Sequence, residues 1–74
     1  MSRLPGDIDG QRFVRALARF GWVVERQRGR HRKLSNPKKS GCVILAFHDR
    51  VNRIIVRKVL RQAGIDEDEF PEAL

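Results

Sequence analysis

A chain of 74 residues with sixteen Lys or Arg against nine Asp or Glu reads as one small basic domain, residues 1–74. It has room for one thin core and none for a deep cofactor cleft, and its 41% hydrophobic content excludes a disordered basic tail. The single cysteine, Cys42, excludes an intramolecular disulfide and a multi-cysteine zinc site, which fits a reducing cytoplasm.

No signal-like apolar stretch occurs in residues 1–10, and the longest apolar run, 42–47, is far too short to cross a bilayer. A soluble cytoplasmic protein with no membrane partner is the expectation. Its charge is uneven. Residues 1–65 hold all sixteen cations against four carboxylates, whereas residues 66–74 hold five carboxylates and no cation. So basic a body calls for a polyanion, with nucleic acid first. Arg outnumbers Lys twelve to four. That bias points the same way, because the guanidinium fork grips phosphate and stacks on bases.

Asp9 suits the N-cap of a first helix running to about Phe20, with Phe13, Ala16, Leu17 and Phe20 on one apolar face. Arg12, Arg15 and Arg19 take the other side, and Gly21 ends the helix. Three strands come next: Trp22 to Arg28, then Arg30 or His31 to Ser35, then Cys42 to Phe47. Gly29 and Arg30 form the first turn, residues 36–41 the second, and such short links imply an antiparallel meander. After a loop at His48 to Val51, Asn52 caps a second helix that ends near Ala63 and is closed by Gly64. Ile55 or Val56, with Val59, Leu60 and Ala63, line its inner face. Asp66 and Glu69 have capping-box spacing, Pro71 limits any helix there to a turn or two, and residues 66–74 read as a solvated acidic tail. The class is α+β, in the order α-β-β-β-α, with an antiparallel three-stranded sheet and two helices on one face.

The chemistry gathers on the hairpin of residues 25–33. Arg26, Arg28, Arg30, Arg32 and Lys33 surround a glycine turn and one histidine, His31, and Lys38 and Lys39 add cations in the next loop. With Leu34 pointing inward, strand alternation turns His31, Lys33 and Ser35 to the open face. Cations around an imidazole favour its neutral form, and a bound phosphate favours the protonated one. A histidine so placed suits acid–base work on an RNA phosphodiester. The plainer alternative is a phosphate-binding ribbon in which the histidine only donates a hydrogen bond. Trp22 and Phe47 suit base stacking but are better explained as core, and Cys42 reads as a small core residue. The only carboxylate cluster, residues 66–69, is explained by capping, so neither a metal site nor a small-molecule cofactor is expected.

Taken together, Phe20-Gly21-Trp22, Arg28-Gly29-Arg30-His31, Asn36-Pro37, Ala46-Phe47-His48 and Leu60-Arg61-Gln62-Ala63-Gly64-Ile65 resemble the HicA toxin family of YcfA-like mRNA interferases. The likeness extends over about residues 4–70 in order and spacing. It implies a fold like the double-stranded-RNA-binding domain and the activity of an mRNA endoribonuclease, the toxin of a type II toxin–antitoxin system. It also implies an essential histidine, which falls on His31, and a HicB-like antitoxin that covers the active face. His48 matches a histidine frequent at this point of the family, which makes it an auxiliary candidate. Members commonly carry Ser or Thr between the glycine and the histidine, where this chain has Arg30, a residue that donates hydrogen bonds but accepts none. The alternative reading is therefore a non-catalytic RNA-binding module of the same fold. A DNA-binding role is disfavoured, because no helix sets basic residues beside a recognisable turn motif.

Overall fold

In the computed structural model, which describes residues 4–74, the chain runs β1 (Asp7–Asp9), α1 (Gly10–Ala18), β2 (Val23–Arg28), β3 (His31–Ser35), β4 (Cys42–Ala46), β5 (Arg50–Asn52), α2 (Arg53–Ala63) and a 3-10 turn (Phe70–Ala73). Residues 1–3, part of the stretch read for a leader, lie outside the described residues.

Each helix starts on the cap its sequence offers. The Asp9 carboxylate accepts the Arg12 N–H at 3.0 Å, and the Asn52 side chain accepts the Ile55 N–H at 2.9 Å. Gly64, at φ +70°, closes α2 in the left-handed conformation that a side chain would disfavour. The strands β2, β3 and β4 form one antiparallel sheet in that order. Its inner face carries Leu34, Val43 and Leu45, all essentially inaccessible to solvent. Phe13, Ala16 and Leu17 of α1 and Val56, Val59, Leu60 and Ala63 of α2 complete the core beneath it. The architecture is therefore the α+β, double-stranded-RNA-binding-domain-like arrangement, with both helices on one sheet face.

Three sequence expectations need correction. First, the segment read as a loop before α2 contains β5, which pairs antiparallel with β1 as a separate two-stranded ribbon. Ile8 and Val51 face each other across it and both enter the core, while Arg50 and Asp7 pair at 2.7 Å on the outside. A three-residue strand with one apolar residue shows no period to read, and tertiary contact forms it. Second, Cys42 is exposed, because it opens β4 two positions before Ile44 on the outer face. Third, residues 66–74 are not a solvated tail. Phe70 is fully buried, edge-on to Phe13 at 5.4 Å and stacked on Phe20 at 6.0 Å. Glu67 pairs with Arg57 at 2.8 Å, tying the acidic stretch to α2. The Asp66 side chain accepts the Asp68 N–H, so an Asx turn replaces the capping box.

Candidate functional site

The β2–β3 turn is a two-residue loop, since Arg28 and His31 are partners in the ladder. Gly29 has φ +58° and among the described residues no non-glycine residue has a positive φ, so only the first loop residue is left-handed. That is the position a type II′ turn reserves for glycine, and its twist matches the strands it joins. The turn thus sets His31 as the first residue of the central strand, bonded to a neighbour on each side.

Register then sorts the hairpin by face. Arg28 and His31 lie opposite each other, Arg26 opposite Lys33, and on the far side His31 faces Ala46 and Lys33 faces Ile44. The irregularity between Val24 and Arg26 takes up one residue, Glu25, and turns both arginines outward with His31. The outer face is therefore a patch of Arg26, Arg28, His31 and Lys33 beside the exposed Ile44. His31 stands between two shallow clefts. One, of about 150 Å³, is bordered by Arg26, Arg28 and Lys33. The other, of about 220 Å³, lies between β4 and α2 and is bordered by Ala46, Ile55, Lys58 and Gln62.

Arg32 also borders the first of these clefts, but its side chain is turned mostly inward. It pairs with Gln27 and Leu45 on the inner face and is only 8% exposed. Its guanidinium lies 4.0 Å from the centroid of Phe47 and donates from Nη1 to the Arg30 carbonyl at 3.3 Å. The Phe47 N–H donates to that same carbonyl at 3.2 Å. Arg32 and Phe47 therefore clamp the turn from below. Phe47 in turn lies so close over Gly10 that a Cβ there would collide with its ring.

The remaining basic positions divide. Lys39 donates to the Ala63 carbonyl at 3.2 Å and so caps the end of α2, while remaining exposed beside Lys38. Lys38 is exposed in the β3–β4 loop, at the end of the sheet away from the glycine turn. Arg30 is exposed in the turn itself. His48 comes just after β4 in a bend, exposed, and borders neither cleft beside His31. Asn36 is structural: its amide donates to the Phe20 carbonyl at 3.1 Å, and its carbonyl oxygen accepts the Lys38 N–H. Trp22 and Phe47 are both buried, as core positions. Among the described residues no three His, Cys, Asp or Glu side chains gather as a metal-binding group, and no helix is long and apolar enough to cross a membrane.

Lys58 and Gln62 escape sequence reasoning. They lie one turn apart on α2, where only the packing of α2 along β4 brings them beside His31. Nothing local in the sequence marks them. Such a surface can hold a polyanion by several cations, with an imidazole at the centre able to give or take a proton.

The family profile described as the HicA toxin of bacterial toxin-antitoxin systems matches residues 10–65. No curated protein and no solved structure gives a significant match.

Proposed function

This chain belongs to the HicA toxin family, and on that premise we propose that it is an endoribonuclease that cuts mRNA with His31. The observation that carries the reading is the placement of the one histidine of the Gly-x-His turn on the open sheet face, with Arg26, Arg28 and Lys33 on one side and Lys58 on the other. Family membership assigns the chain to toxin–antitoxin toxins and so implies a cognate antitoxin. The HicB type is the proposed partner, and covering the His31 face is its proposed mode of inhibition.

The chemistry proposed is attack by the RNA 2′-hydroxyl on the adjacent phosphorus. The new O–P bond forms as the bond to the 5′-oxygen breaks, leaving a 2′,3′-cyclic phosphate and a 5′-hydroxyl. His31 takes the 2′-hydroxyl proton, or protonates the departing oxygen, and solvent serves the other end. Arg28 and Lys58 are placed to stabilise the charge that develops on the phosphoryl oxygens. Arg30, in the place of a hydroxyl residue, adds attraction for the strand but supplies no acceptor to orient the imidazole.

Expression from a tightly controlled promoter tests the reading in cells. Wild type is expected to arrest growth, and His31→Ala to permit it at equal protein level. Equal arrest by both removes His31 from the mechanism. Equal harmlessness, with RNA bound by both, favours the non-catalytic module to which Arg30 points.

A further inference from the structure

We propose that the outward face of α1 is a second phosphate-binding surface, which holds the RNA strand at a distance from the hairpin. Its starting point is how the cations are used. Among the described residues Arg32, Lys39, Arg50, Arg53 and Arg57 are each committed to a partner within the chain. Apart from the cations around His31 and the exposed Arg61, this leaves Arg12, Arg15, Arg19 and Lys38, and these four are contiguous.

Arg12, Arg15 and Arg19 recur at i, i+3 and i+7, so they form one stripe about 10 Å long on α1. Like charges at these spacings repel and weaken a helix. No acidic residue stands in the first turn to offset them, and the Asp9 carboxylate is occupied as the cap of the Arg12 N–H. Arg15, in the last turn, suits the helix dipole, but no ion pair within the described residues takes up any of the three guanidinium groups. The stripe borders a cleft of about 470 Å³ whose opposite wall is Ala73 and Leu74. Ala18 and Arg19 continue into a second cleft of about 400 Å³, which reaches the exposed Lys38. The two clefts make one track, with a cation at each step from Arg12 to Lys38.

A track of this form suits a chain that repeats its negative charge and is longer than any single small anion. The half-buried Phe20 borders the second cleft. An aromatic beside a line of cations is the combination that single-stranded nucleic acid uses, phosphates on the cations and a base against the ring. The identity of the strand rests on the proposed function, but the surface is measured by binding and not by cleavage.

The test uses the full chain in a His31→Ala background, with and without Arg12→Gln, Arg15→Gln and Arg19→Gln together. Binding of a 20-nucleotide single-stranded RNA is titrated across salt concentrations. Losing three phosphate contacts is expected to weaken binding about tenfold and to flatten the log–log salt slope by about 2. In the protein that retains His31, the loss is expected in KM and not in kcat. The melting temperature should hold or rise as the repulsion is relieved, which separates lost contacts from lost fold. Unchanged affinity and slope overturn the proposal, as does a variant that keeps RNA binding but loses binding to poly-glutamate, which would assign the stripe to an acidic protein. If no protein cuts RNA yet binding still depends on α1, the second surface stands and the catalytic reading falls.

Discussion

Phe70→Ala is expected to cost about 3–5 kcal/mol of stability, the usual range for emptying a fully buried aromatic site. Phe70 has no solvent exposure and touches both Phe13 and Phe20, so its removal leaves a void beneath α1. A domain of this length has about 4–11 kcal/mol in total. A fall in melting temperature of about 12 °C or more should result, read by circular dichroism. Glu69→Gln, one residue earlier and exposed, is the control and should melt within about 4 °C of the parent. Equal melting of Phe70→Ala and the parent would return residues 66–74 to the status of a tail.

Arg32→Ala is expected to be the most damaging change among the hairpin cations, although Arg32 is turned mostly inward. It removes the cation–π contact with Phe47 and a charged hydrogen bond to the Arg30 carbonyl. Together these amount to about 2–4 kcal/mol. The loss falls under the turn that sets His31, so cleavage should drop further than RNA affinity does. Arg32→Lys should not rescue it, because a flexible ammonium cannot lie flat on the ring and reach the carbonyl at once. Arg26→Ala gives the contrast: affinity falls and melting does not move. A variant at Arg32 that melts like the parent but loses RNA affinity would place this side chain on the outer face after all.

Much of the fold is legible in the sequence where a local rule decides. Asp9 and Asn52 cap the helices because a short acceptor precedes an apolar period, and Gly29 makes the hairpin because a two-residue loop needs a left-handed first residue. Trp22 and Phe47 belong to the core because a small sheet needs large apolar residues on one face. The misses have two causes, the weight given to residue type over position and contacts between segments far apart along the chain. Arg32 shares its face with Leu34, two residues on, and alternation alone opposes it to His31, yet its charge reads as surface. Phe70 stands alone in an acidic run, where no period marks it as buried. The β1–β5 ribbon and Lys58 beside His31 exist only through contacts between segments some 45 and 27 residues apart, which no window along the chain contains.

The most direct measurement is the cleavage of one labelled RNA by purified wild type and His31→Ala at matched RNA occupancy. Positioned proton transfer contributes about 10²–10⁴-fold, so His31→Ala should slow cutting by that factor while its RNA affinity stays within about threefold. A single 2′-deoxy nucleotide at the cut site should stop the wild-type reaction as well. Cutting by His31→Ala at the wild-type rate on bound RNA would contradict the account.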